Sequence, residues 1–149
     1  MNCSYFWYFT ANVESAYDIH RKRIMKKFDL SSVEVDCLIF LINNPSLDKA
    51  SDIVKARKMS KSHVSLAVNH LIELGLLEVH KEDKNKKNLH LIPTLKSEEF
   101  KNYARSEQDL FLRNVLEGIS KEEKEVYDNI MQKILANVTR NYDSKKEGI

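Results

Sequence analysis

The chain has 149 residues, 42% hydrophobic and 31% charged, and a net charge of +2. That size and balance predict one domain, 1–149, long enough to bury its own core. Three Gly and two Pro argue against a turn-rich all-β fold, and no apolar run reaches the length needed to span a bilayer.

The opening MNCSYFWYFT is aromatic but has no basic stretch before it, so it is not read as a signal peptide. From about Ser4 to Phe28 there is no Gly or Pro, and Phe9, Val13, Tyr17, Ile24 and Phe28 recur at helical intervals. The pattern predicts a long first helix. It ends in RKRIMKK, where cations offset the partial negative charge of the last carbonyls. In LSSVEVDCLIFLINNP, Ser31 and Glu34 fit a capping box, with Leu30 placed to staple onto Val35. Val35, Leu38, Leu41 and Ile42 share a face of this second helix, and Asn43-Asn44-Pro45 ends it. Cys37 lies inside it as a small side chain expected to be buried.

LDKASDIVKARKM predicts a short helix with Ala50, Ile53 and Val54 inward. SKSHVSLAVNHLIELG then opens on Ser60 as N-cap and closes on Gly75. Val64, Ala67, Val68, Leu71 and Leu74 make its buried stripe. Two short helices joined by a tight turn form a helix-turn-helix candidate. LLEVH and LHLI alternate around the charged HKEDKNKKNLH and predict an antiparallel hairpin. Thr94 is placed to cap a further helix bearing Phe100, Tyr103, Ala104, Leu110 and Phe111, which Gly118 breaks. Ser120 and Glu123 form a second capping box before Val126, Ile130, Leu135, Val138 and Tyr142, and 143–149 reads as a frayed tail.

The expected fold is mainly α with a small β-hairpin wing. A winged helix-turn-helix core, 30–94, is flanked by helices in 1–29 and 95–142. Residues 49–95 hold nine Lys/Arg against five Asp/Glu, so the excess positive charge sits in this core. By helical phase the outward face of the capped helix carries Lys61, Ser62, Ser65, Leu66 and Asn69, with Ser60 at its start and His63 and His70 at the edges. Lysine and hydroxyls suit phosphates or base edges, Asn pairs with adenine, and an exposed Leu can meet a thymine methyl. In the loop, Lys84, Asn85, Lys86 and Lys87 are candidates for contact with the DNA backbone.

From about Leu30 to Val138 the sequence resembles the MarR (multiple antibiotic resistance regulator) family of winged-helix transcription regulators. The resemblance is carried by SKSHVSLAVNHLIELGLLEV and by DKNKKNLHLIPT, in their order and spacing. It implies a homodimer on double-stranded DNA and suggests a small, often aromatic effector that releases it; the expected location is the cytoplasm, and no cofactor is expected. It also implies that the terminal helices interlock. Five consecutive aromatics, Tyr5 to Phe9, cannot all face one side of a helix. Tyr5, Phe6, Phe9, Val13, Ile130, Leu135 and Val138 are therefore the expected dimer interface.

The sequence departs from the family pattern at several positions. Leu66 and His70 stand where relatives usually have Arg, and Asn85, Lys86 and Lys87 stand for an acid followed by two Arg. Pro93 and Ser97 replace the usual Leu and Gly. Lysines lack the planar bidentate fork of Arg, which points the wing toward backbone contact rather than base reading. The missing arginines motivate a second reading, a winged-helix module that binds a protein and has weak or no DNA binding. A third is oxidant sensing through Cys3. No nucleophile–base pairing or Gly-rich phosphate loop points to an enzyme. His80 and His90, symmetric about Asn85, are expected to face each other, but a metal there would need another ligand, and none is assigned. The two cysteines lack metal spacing and fit a reducing cytoplasm.

Overall fold

The computed structural model describes residues 2–81 and 89–142. The described residues fall into two compact units, divided between Leu112 and Arg113.

The first unit begins with α1 (Cys3–Phe28), where the Asn2 side chain accepts the Tyr5 N–H at 3.2 Å. Only His20 and Ile24 of this helix are buried. α2 (Ser32–Asn43) carries the expected capping box: Ser31 Oγ accepts the Glu34 N–H at 3.3 Å, and Glu34 Oε2 accepts the Ser31 N–H at 2.7 Å. This helix is apolar on most sides and is accordingly the central one, with Val35, Cys37, Leu38, Phe40 and Leu41 buried. α3 (Ala50–Arg57) starts where Asp52 accepts the Lys49 N–H, and it contributes Ile53 to the core. Lys58, in the left-handed region at φ +53°, turns the chain from α3 into α4 (Lys61–Glu73).

Gly75, at φ +72°, ends α4 in a conformation a side chain would strain. β1 (Leu77–Lys81) and β2 (Leu89–Pro93) then pair antiparallel, with Leu77 opposite Pro93 and His80 opposite His90. Leu77 and Leu91 are the residues this ribbon buries. The Leu91 N–H also donates to the Asp48 carbonyl at 2.7 Å, which fastens β2 to the loop before α3.

Thr94 behaves differently from the sequence expectation. A 3₁₀ turn (Leu95–Ser97) precedes α5 (Glu98–Val115), and Thr94 makes no side-chain cap. Its hydroxyl instead donates to the Gly75 carbonyl at 2.6 Å, and Lys96 Nζ donates to the Leu74 carbonyl at 2.7 Å. The carbonyls left open at the end of α4 take these donors, so Thr94 and Lys96 tie that end of α4 to the chain entering α5. α5 buries Phe100 and Ala104, and Phe28 packs on Phe100 with ring centroids 5.1 Å apart. One core cluster therefore joins α1, α2, α3, α4, the ribbon and α5.

The second unit holds α6 (Lys121–Tyr142), whose capping box is formed by Ser120 and Glu123. None of its residues is buried. Among the described residues no helix is long and apolar enough to cross a membrane.

Candidate nucleic-acid interface

α4 has two opposed faces. Val64, Ala67, Val68 and Leu71 are buried, while Lys61, Ser62, His63, Ser65, Leu66 and Asn69 are all exposed. The helix starts rigidly, because Ser60 Oγ accepts the His63 N–H at 3.2 Å and lies 3.2 Å from Ser62 Oγ. Leu66 is 69% exposed, an apolar side chain held in solvent in the middle of a polar face. Packing does not explain it. In the chain, three cations, Lys55, Arg57 and Lys58, close α3 just before α4 begins.

His70 ties α4 to the scaffold. Its Nδ1 lies 2.5 Å from Glu34 Oε1, and the same carboxylate caps α2 through its other oxygen. Burial alone would raise the Glu34 carboxyl, but the Ser31 amide and the His70 ring outweigh it and hold the group below the usual carboxylate range. Two further histidines staple distant elements in the same way. His90 on β2 meets both oxygens of Asp48 at 2.8 Å, and His20 on α1 meets Glu107 on α5 at 2.7 Å. Arg23 also donates to Glu107, at 3.3 Å. Burial would raise Glu107, yet the hydrogen bonds from His20 and Arg23 leave it lowered.

A cavity of about 480 Å³ opens where α1, α2, α3 and α5 meet, walled by Tyr17, Phe40 and Phe111 and edged by Asn43, Arg57 and Arg105. Asp36 forms part of its floor. That buried carboxylate accepts from Arg21 of α1 at 3.1 Å and pairs with Arg57 of α3 at 3.3 Å, so one wall of the cavity is also a joint between scaffold and helix-turn-helix. The aromatics at the start of α1 bury little: Tyr5, Phe6, Trp7, Tyr8 and Phe9 are exposed, Trp7 at 66%. Ile130, Leu135 and Val138 of α6 are exposed as well.

Residues 28–87 match the sequence profile of the MarR family. That segment, which takes in α2, α3, α4 and β1, is similar to the MarR family. An HTH-type transcriptional regulator of Bacillus subtilis (strain 168), YybA, is 24% identical over 125 residues, which span 83% of this chain and 81% of that protein. The fold is that of a putative MarR family transcriptional regulator from Listeria monocytogenes crystallised with a 26mer DNA. That match has a TM-score of 0.79 at 19% identity and covers 96% of this chain and 94% of the other. A Staphylococcus aureus MarR in complex with salicylate and kanamycin superposes with a TM-score of 0.75 at 17% identity, over 93% of each chain.

Within this MarR-like frame Ser60 and the α4 residues that the sequence singled out for DNA contact are all exposed. The wing residues Lys84, Asn85, Lys86 and Lys87 lie outside the described residues. Cys3 is exposed at the first position of α1. Cys37 is buried, and burial pushes its thiol up to about 12, which leaves it a packing residue. His80 and His90 do pair across the ribbon, but each bonds a carboxylate of its own, Glu78 and Asp48. Among the described residues no three His, Cys, Asp or Glu side chains gather as a metal site. Sequence reasoning passed over two residues. His70 was placed only at the edge of the reading face, because its Glu34 partner lies 36 positions earlier on another helix. Arg57 carries no local signal, because its partner, Asp36, lies on another helix far away in sequence.

Proposed function

We propose that this protein is a homodimeric, sequence-specific DNA-binding transcription regulator. The observation that carries the reading is the exposed face of α4, where Lys61, Ser62, Ser65 and Asn69 surround a solvent-held Leu66 on a helix otherwise locked into the core. Such a face meets base edges through Asn and hydroxyls and a thymine methyl through Leu. Lys61, the basic end of α3 and the wing residues Lys84, Lys86 and Lys87 supply phosphate contacts. The relative crystallised with a 26mer DNA supports the same role. A second copy covers the apolar faces of α1 and α6 and places two recognition helices on half-sites about one helical turn apart, roughly 10 bp.

The aromatic cavity beside Asp36 is the place for a small aromatic effector, a reading supported by the salicylate-bound relative. An occupant there touches Arg57, whose bond to Asp36 joins α3 to α2. Seating it shifts the recognition helices relative to the scaffold and weakens DNA binding. The whole chain then works as one regulator, at home in the cytoplasm beside DNA.

Selection of bound duplexes from a random pool tests the reading. A recovered pseudo-palindrome whose binding has a salt slope reduced by about 1 in Lys61→Ala supports it. Failure to enrich any sequence, with binding to a protein partner instead, favours the interaction module.

A further inference from the structure

We propose that His70 is a proton-linked DNA contact positioned by Glu34, so that DNA binding draws a proton onto this ring; the inference rests on the DNA-binding reading above. The geometry fixes what each nitrogen does. Glu34 is buried, and its two oxygens are already assigned, one to the Ser31 N–H at 2.7 Å and the other to His70 Nδ1 at 2.5 Å. An ionised carboxylate only accepts, so Nδ1 carries a hydrogen and Nε2 is left to change state. Among the described residues Nε2 has no hydrogen-bond partner, and the side chain is 47% exposed. His70 stands one turn beyond Leu66 and next to Asn69, on the margin of the reading face.

Those facts give the ring two distinct behaviours at a DNA surface. Neutral, Nε2 presents a lone pair, which a phosphate oxygen repels. Protonated, it donates to that oxygen with the strength of a charged hydrogen bond. Imidazole is the side chain whose ordinary titration falls between pH 5 and 8, so a neighbouring phosphate is able to shift the balance. Of the other charged groups on the elements packed against α4, Asp36 of α2 is held by Arg21 and Arg57, while Lys55 of α3 and Lys81 of β1 are exposed cations. Asp52 of α3 accepts the Lys49 amide, Arg57 of α3 pairs with Asp36, and Glu78 of β1 bonds His80. Glu73 lies three residues along α4. On α2, Glu34 supplies the negative charge that holds the ring, and its shift below the usual carboxylate range keeps it ionised throughout the window in which an imidazole titrates.

The test is affinity for the selected duplex at constant ionic strength from pH 8 to pH 6. We expect the wild type to bind more tightly as the pH falls, approaching about tenfold per unit per protomer, the limit for one proton. His70→Gln keeps a polar side chain that does not titrate and should flatten the profile, whereas His80→Gln should leave the slope in place. Glu34→Gln should move the tightening to lower pH, with circular dichroism reporting whether α2 survives the change. In the wild type, the ring nitrogens of His70, read by NMR, should turn to the doubly protonated form on adding DNA at pH 7. Equal slopes for wild type and His70→Gln overturn the inference and leave DNA binding standing. A protein that selects no duplex overturns both.

Discussion

Two regions of this chain use similar apolar content to opposite ends. Around α2 and α4 the stripes are closed within one chain: Val35, Leu38, Val64 and Leu71 are wholly buried. At the start of α1 and along α6 the stripes are equally plain in the sequence and bury almost nothing; Trp7, Tyr8, Leu135 and Val138 all stand in solvent. A winged helix needs its own core to hold a recognition face at fixed orientation. On the proposed dimer reading, helices that meet a second copy need the reverse, an apolar surface left open until that copy arrives.

The strongest way to break the comparison is to charge the open surface. Phe9→Glu with Leu135→Glu should convert a dimer to monomers in sedimentation, and affinity for a two-half-site duplex should fall by about 10²–10⁴-fold through lost avidity. The winged helix itself should keep its fold by circular dichroism. If the double variant sediments as the wild type does, those faces are not the interface. Next in size is a pair on α4 itself. Leu71→Ala empties a fully buried site and should cost about 2–5 kcal/mol in urea unfolding. Leu66→Ala, on the opposite face, should stay within about 0.5 kcal/mol while weakening DNA binding. A large stability loss from Leu66→Ala would mean that face is covered.

The same division sets how much could be read in advance. The caps at Ser31, Ser60 and Ser120 and the buried stripe of α4 were legible because each depends on residues within a turn or two of one another. The ribbon was legible from its alternation. What the sequence concealed was long-range and polar. Glu107 meets His20 across 87 positions, and Glu34 meets His70 across 36, and neither pair has a local pattern to announce it. Thr94 misled for a related reason: it looks like a cap, but the Gly75 carbonyl, distant in sequence, takes its hydroxyl.

Those polar staples carry an acid signature. Glu107 is lowered from 4.5, with burial opposing and hydrogen bonds from His20 and Arg23 prevailing. A depressed carboxyl stabilises the folded chain above its unfolded value and loses that contribution as pH falls through the folded one. Stability measured by urea midpoint should therefore hold above about pH 4.5 and drop below it, a fall that Glu107→Gln should make shallower. A variant with the same acid leg as wild type would show that the staple holds α1 to α5 without being ionised.

The smallest effect separates holding the recognition helix from touching DNA. Ser60→Ala removes the oxygen that accepts the His63 N–H and should cost about 1 kcal/mol, the usual worth of a helix cap. Loss of DNA affinity in that variant would be ambiguous, because a frayed first turn also misplaces Lys61 and Ser62. Ser60→Asp resolves it. Aspartate caps as well as serine and places negative charge where the helix dipole favours it, so stability should return to the wild-type level. The same charge faces phosphates if this end of α4 meets the DNA backbone, so affinity should fall further than in Ser60→Ala and the deficit should shrink as salt is raised. Restored stability together with restored affinity would put the N-terminus of α4 away from the backbone and require the helix to be docked by its middle, at Leu66 and Asn69.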